Sequence, residues 1–323
     1  MKIGVLGTGW IVNVITTTLK GMVGMECYAI ASRTKERAEQ AAAEFGYEKA
    51  YGTYEALVAD PEVELVYIAT PHSRHFEDMK LCIKAGKPVL CEKAFTLNAA
   101  QAAEIKMLAE KHKVYVAEAI WTRYQPSRNL INDMIASGII GNVTTLTANL
   151  SYAMHQKERI YNPELAGGAL LDIGVYGINF AMMHFGENIV RMESSVQMME
   201  TGVDGMETIT MFFEDGRMAV LTHSAYGRSD RKGIFYGDEG YMIVENINNP
   251  QSISVYDMGD NLIKFVAVPE QITGYEYQFA EAAECIAGGK LESNSMPLDD
   301  SIKVMRVMDA LRRQWGMVYP QEQ

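Results

Sequence analysis

Along the first third of the chain, apolar residues fall in short unbroken runs: "KIGVLG", "CYAIAS", "ELVYIAT", "PVLCEK" and "VYVAEA". A helix is expected from about Trp10, and "TKERAEQAAAEFG", "RHFEDMKLCIKAG" and "LNAAQAAEIKMLAEKH" lie between the later runs with apolar positions at helical spacing. Gly46 stands where the first of these should stop. Runs that are apolar on both faces belong to strands covered on both sides. Their alternation with helices predicts a parallel, doubly wound sheet.

The pattern changes after Trp121. Val143–Ser151 and Glu207–Phe213 alternate as half-buried strands do, and "MFFEDGRMAVLTHSAY" and "IFYGDEGYMIVEN" read as hairpins, each with Asp and Gly in its turn. Helical segments follow near Tyr275–Ala287 and Ser301–Met317. The expected fold is α/β, with an N-terminal Rossmann sheet over residues 1–119. A C-terminal α+β domain over 120–323 should carry a large, mainly antiparallel open sheet, and the last helix is a candidate to pack back on the first domain. The first hairpin has large apolar residues in both alternation classes. A sheet with too few helices to cover it needs another partner, so a homodimer or tetramer through that sheet is expected.

Composition narrows the function. Forty-one acidic residues against 29 basic ones leave a net charge of −12, which argues against nucleic acid and anionic membranes as partners. Cys27, Cys82, Cys91 and Cys285 show no paired or metal-ligand spacing. They read as reduced core thiols of a cytoplasmic protein, with no metal site. "MKIGVLGTGW" enters a strand at once, so no signal peptide is expected, and no apolar run approaches the roughly 20 residues that span a bilayer.

"VLGTGWIV" ends the first strand and opens the first helix. Gly7 and Gly9 allow the tight turn and close backbone approach that a pyrophosphate needs, at a helix N-terminus that favours its charge. The third small residue of that fingerprint is absent, because Val12 stands there. An NAD site usually has an acid at the end of the second strand, to bind the ribose hydroxyls. Here the end reads "IASRTKER", where Ser32 is a hydrogen-bond donor and Arg33 and Arg37 suit a 2′-phosphate. NADP(H) is the preferred cofactor, and NAD(H) the weaker alternative. Thr70 and Pro71 lie where the carboxyl edge of the sheet meets a cofactor crevice. His72 and His75, which follow, have no metal-ligand pattern.

Glu92 and Lys93 end a buried strand at that same edge. Hydride transfer at a carbinol carbon requires a group that takes the hydroxyl proton or stabilises the alkoxide, and a lysine can do either. Glu92 is placed to orient it or to bind cofactor. The competing reading of this pair is a loose surface ion pair. In "ELAGGALLDIGVYGINF", Asp172 and Tyr176 are four residues apart, on one helical face. They form a proton-handling pair or, more plainly, a helix-start acid and a core tyrosine.

In this order, "GTGW", "TPHSRH", "CEK" and "GGALLDIGVYG" resemble the Gfo/Idh/MocA oxidoreductases across the whole chain. "EAIWTRYQP" is similar to the branch holding dimeric dihydrodiol dehydrogenase, NADP-dependent xylose dehydrogenase and glucose–fructose oxidoreductase. The resemblance implies a hydride transfer involving a sugar, cyclic polyol or vicinal diol. It implies that Lys93 is the catalytic lysine, Tyr176 the proton donor or acceptor, and Asp172 a hydrogen-bonding partner of lysine or substrate. Gly7, Thr8, Gly9, Trp10 and Ile11 would follow the pyrophosphate, with Ser32, Arg33 and Arg37 at the adenosine end. Thr70, Pro71, His75 and Glu92 would complete the cofactor site, and Trp121 and Arg123 would border the nicotinamide. His155, Arg159 and Tyr161, with Met154, lie in the segment expected to meet substrate. Ala94 departs from the family pattern, which has proline there. A catalytically silent NADP(H)-binding regulator of the same fold is the rival reading, and a methyltransferase with its own glycine loop is a more remote one.

Overall fold

The computed structural model describes residues 1–323. They form two compact units: Met1–Tyr124 with Gln271–Arg306, and Gln125–Glu270 with Val307–Gln323. The first unit begins β1 (Lys2–Leu6), α1 (Trp10–Gly21), β2 (Glu26–Ala31), α2 (Lys35–Phe45), β3 (Lys49–Tyr51) and α3 (Tyr54–Val58). It continues β4 (Leu65–Ile68), α4 (His72–Lys84), β5 (Val89–Glu92), α5 (Ala99–His112) and β6 (Val116–Ala119). All strand pairs are parallel, in the order β3-β2-β1-β4-β5-β6. That order reverses direction between β1 and β4, where such sheets bind ligands.

β4, β5 and β6 are buried at every position, as unbroken apolar runs require. Thr34 caps α2 by accepting a hydrogen bond from the Arg37 amide, and Gly46 ends that helix in the left-handed conformation at φ 78°. β3 and α3 are three and five residues long, too short for periodicity to reveal.

The second unit contains α6 (Ser127–Ala136), β7 (Val143–Ser151) and α7 (Glu158–Tyr161). A π-turn at Leu170–Gly174 then runs into α8 (Val175–Phe185). The strands that follow are β8 (Ile189–Met198), β9 (Asp204–Phe213), β10 (Met218–Ser224), β11 (Gly233–Gly237), β12 (Gly240–Val244), β13 (Ser252–Asp257) and β14 (Leu262–Ala267). The chain ends with α9 (Glu276–Ala287) and α10 (Leu298–Trp315).

Eight strands make one sheet, ordered β14-β13-β12-β11-β7-β10-β9-β8 and antiparallel except where β7 meets β10. One face, with Leu146, Ile209, Met211, Leu221 and Phe235, is buried. α8 lies on it, and Phe180 meets Phe235 with ring centroids 5.6 Å apart. The opposite face carries Met206, Phe212, Val220 and Tyr236, all partly or fully exposed. Contrary to the reading of the sequence, Pro163–Phe185 is long and apolar enough to cross a bilayer, but it is a core helix, almost wholly buried.

The first compact unit therefore runs on to Tyr124 and also takes in Gln271–Arg306. That inclusion has a physical basis in β6, an edge strand. Its Val116 amide donates to the Leu291 carbonyl at 3.0 Å, which covers part of the open edge. Phe279 of α9 packs on Tyr67 of β4 at 5.4 Å, and Tyr275 stacks on Trp121 at 4.0 Å. The unit boundary falls within α10, after Arg306.

Candidate active site

The residues singled out by sequence fall into two groups, one in each unit. In the first, β1 ends at Gly7, which adopts φ 108°; a Cβ there would sit 2.7 Å from the Ala69 carbonyl oxygen. Only glycine fits both the conformation and the space. Gly9 begins α1 in an extended conformation; no side chain caps the helix and no acid lies in its first turn. A Cβ on Gly9 would meet nothing within 4 Å. The helix start is thus open and positively polarised, with Trp10 62% exposed beside it, which fits a pyrophosphate. Val12 is fully buried.

At the end of β2, Ser32 is buried and its amide donates to the Tyr51 carbonyl at 3.1 Å, while Arg33 and Arg37 are exposed. Burial raises the Tyr54 phenol above its ordinary value, and Arg33, Arg74 and Arg37 act against that rise. Three guanidinium groups therefore share one neighbourhood. Sequence reasoning missed Arg74, which comes from α4 and is anchored to Asp78 at 2.7 Å.

The Lys93 loop is held from three directions. Tyr67 of β4 donates a hydrogen bond to Glu92, whose other carboxylate oxygen accepts from the Lys93 amide at 3.2 Å. Nδ1 of His75 lies 2.8 Å from the Ala94 carbonyl oxygen, and Nε2 lies 2.9 Å from that of Thr70. Oε1 of Glu118, at the end of β6, accepts from the Phe95 amide at 3.2 Å. Burial pushes Glu118 up to about 7, against the pull of Ser301 and Arg123, and burial lowers His75 to about 4. Thr70 donates to Asp78 at 2.7 Å, which ties the strand-end turn to α4.

One expectation changes here. His75 is completely buried, with both ring nitrogens turned to backbone carbonyls, so it joins two loops and does not face a cofactor. Arg123 is 3% exposed and pairs with Asp300 at 2.8 Å. Trp121 is buried against Tyr275. Glu118 was missed as a site residue, although an acid inside the apolar run "VYVAEA" was its visible signal.

In the second unit, Asp172 lies in the π-turn and Tyr176 in the first turn of α8, each about 8% exposed. Nη1 of Arg159, from α7, is 2.5 Å from Oδ1 of Asp172, and its Nη2 is 3.5 Å from the Met154 sulfur. Two candidates are therefore brought together. His155 packs against Tyr226 with ring centroids 5.2 Å apart, and Tyr161 is 39% exposed at the end of α7. Beneath the helix, Asp204, Glu207 and His223 are buried together; none was singled out by sequence.

A family profile described as "Oxidoreductase family, NAD-binding Rossmann fold" matches residues 1–119, and one for the GFO/IDH/MocA C-terminal domain matches 129–243. The trans-1,2-dihydrobenzene-1,2-diol dehydrogenase of Mus musculus is 30% identical, over 100% of this chain and 99% of its own. The D-xylose 1-dehydrogenase (NADP(+)) of Hypocrea jecorina is 34% identical, over 84% of this chain and 78% of its own. The fold is similar to that of a 3-ketoreductase from Actinomadura kijaniata in complex with NADP and TDP-benzene. That match has a TM-score of 0.88, 24% identity and 97% coverage of each chain.

Proposed function

The chain belongs to the Gfo/Idh/MocA oxidoreductase family, and on that premise we propose that it is an NADP(H)-dependent dehydrogenase. Its substrate is a sugar, cyclic polyol or vicinal diol, oxidised or reduced at one carbinol or carbonyl carbon. One observation carries the reading: a glycine cradle at the end of β1 and a lysine on a firmly held loop at the end of β5 lie along the same carboxyl edge of one parallel sheet. The curated relatives support the substrate class, one acting on a dihydrodiol and one on D-xylose.

The nicotinamide, when bound, exchanges the hydride. What remains for the protein is the hydroxyl proton. Lys93 and Tyr176 are proposed to handle it together, the ammonium favouring the phenolate and the phenol relaying the proton. Asp172, held by Arg159 at 2.5 Å, is proposed to orient lysine or substrate by a hydrogen bond. Because Arg159 is already neutralised, His155, Arg159 and Tyr161 suit an uncharged, hydroxyl-rich molecule better than an acid. Arg33 and Arg37, joined by Arg74, are proposed to bind the 2′-phosphate.

The test is NADP+ reduction, followed by absorbance, across aldoses, polyols and diols, beginning with D-xylose and a trans-dihydrodiol. Turnover with at least one compound, and far less with NAD+, is expected. Tight NADPH binding without turnover on the whole panel would favour a silent regulator. We further propose that a second copy covers the exposed face of the eight-stranded sheet, and that the protein works in the cytoplasm, where its thiols stay reduced. Light scattering should give at least twice the 36.0 kDa chain mass. A constant single-chain mass over a wide concentration range would refute the dimer.

A further inference from the structure

We propose that Glu207 and His223 are positioning residues that fix the helix carrying Asp172 and Tyr176. The proposal rests on the assignment of proton handling to Tyr176. The two residues face each other across the β9–β10 ladder, with Nδ1 of His223 3.1 Å from Oε1 of Glu207. Asp204, also on β9, adjoins Glu207, and all three are at most 1% exposed. Apolar side chains of similar volume often replace such a buried group without loss of stability, so a buried polar cluster is weak evidence of a stabilising role. A buried ionisable cluster therefore calls for another explanation.

The explanation lies in what the cluster touches. Oδ2 of Asp204 accepts a hydrogen bond from the Leu170 amide at 2.5 Å, where the π-turn begins and an amide has no acceptor within the helix. Three glycines then mark where the helix rests on the cluster. A Cβ at Gly168 would lie 2.2 Å from Oδ1 of Asp204, one at Gly174 2.7 Å from Oε1 of Glu207, and one at Gly177 2.1 Å from Nε2 of His223. Gly174 and Gly177 bracket Tyr176. The backbone that aims the phenol is thus seated on two polar side chains fixed in adjacent strands. Displacing reacting groups by about 1 Å costs on the order of 10²-fold in rate, so a firm seat is worth having.

Burial also keeps the cluster largely uncharged at and below neutrality. Burial raises Asp204 to about 8 and Glu207 well above its ordinary value, and lowers His223 to about 3. The carboxyl pair retains protons and the imidazole is uncharged, so an uncharged amide should replace Glu207 but an alkyl chain should not.

This can be tested with two independent arms, each measured with the best substrate of the panel. In the first, Glu207→Leu should lower kcat about tenfold or more. Its NADPH dissociation constant should be unchanged, it should stay folded with a melting temperature lowered by only a few degrees, and amides 168–177 should exchange hydrogen faster. Glu207→Gln should keep at least half the parent kcat. In the second, Gly177→Ala should lower kcat by a similar factor, and adding His223→Ala, which clears the colliding ring, should recover most of the loss. Near-normal kcat in Glu207→Leu or Gly177→Ala, or no recovery in the double variant, would overturn the proposal. So would loss of folding in both arms, since the cluster would then serve stability alone. Tyr176→Phe separates the two levels: if it kept full activity, the proton-handling assignment would fail instead.

Discussion

The two units bury ionisable groups in different ways. In the first, His75 and Glu118 are set apart, and each approaches a peptide group of the loop that carries Lys93. In the second, Asp204, Glu207 and His223 adjoin one another beneath a helix. The difference follows from what is supported. A loop leaves its amides and carbonyls unpaired, and each buried one needs its own partner. A helix pairs its own backbone, so support is needed only at its first amide and along the glycine face where strands come close. Polar residues that serve a loop are dispersed, and those that serve a helix collect along one side of it.

The strongest way to break this comparison is to remove the groups that both arrangements are proposed to aim. Lys93→Met and Tyr176→Phe should each lower kcat by at least about 10²-fold, the usual effect of losing acid–base catalysis. Groups that act as a unit do not add, so the double variant should be little worse than the poorer single one. NADPH binding should survive in all three variants, because the glycine cradle is untouched. Near-normal kcat for Lys93→Met would remove the reason for three supports around its loop.

Titration separates the two supports. Glu118 rises from an ordinary 4.5 to about 7 in the folded protein. Below pH 4.5 it is protonated in both states and costs nothing. As pH rises toward 7 the unfolded chain ionises first, so stability falls by about 3 kcal/mol and then levels off. Glu118→Gln should reduce the steepness of the fall in melting temperature between about pH 4.5 and 7. A shallower decline from about pH 4 to 8 should persist in the variant, because Asp204, raised from 3.8 to about 8, lies in the other unit. If the substitution left the slope below pH 7 intact, Glu118 would not be carrying a buried proton.

What the sequence made legible follows the same division. The doubly wound sheet was readable because "ELVYIAT", "PVLCEK" and "VYVAEA" are apolar on both faces, and only a covered parallel sheet accepts such strands. The positions of Gly7 and Lys93 at the carboxyl ends of strands were readable, because those strand ends lie beside them in the chain. The burial of His75 and the partner of Arg123 were not readable, because both are set by elements far away: Arg123 meets Asp300, 177 residues later. The buried cluster was illegible for a related reason. Glu207 and His223 occupy positions of ordinary-looking alternating strands, and the glycines of "GGALLDIGVYG" read as turn formers when three of them make room for carboxyl and imidazole groups.

A smaller effect is expected at the nucleotide end of the first unit, which lies on the surface. Losing a hydrogen bond to a charged phosphate costs about 1.5–3 kcal/mol, or roughly 10- to 150-fold in affinity. Arg33→Ala should weaken NADP binding by such a factor, toward the lower end because Arg37 and Arg74 remain nearby. NAD binding should hardly change. Equal losses for both nucleotides, measured by fluorescence titration, would show that these arginines do not read the 2′-phosphate.

The smallest effect should come from a residue that lies near Lys93 in the chain but outside its support. Cys91 is two positions earlier, in β5, and completely buried. Burial, reinforced by the nearby Glu92 carboxylate, pushes its thiol well above the ordinary value, so no thiolate is available for chemistry. The loop's supports come from Tyr67, His75 and Glu118, and none bonds to the Cys91 sulfur. Cys91→Ala removes one buried heavy atom, which should cost about 1 kcal/mol in stability. Turnover should stay within about twofold of the parent enzyme. All four cysteines are free thiols in this fold, so titration after denaturation should find four reactive groups. A folded Cys91→Ala enzyme with collapsed kcat would mean that the strand's packing aims Lys93, and that the three polar supports are not sufficient.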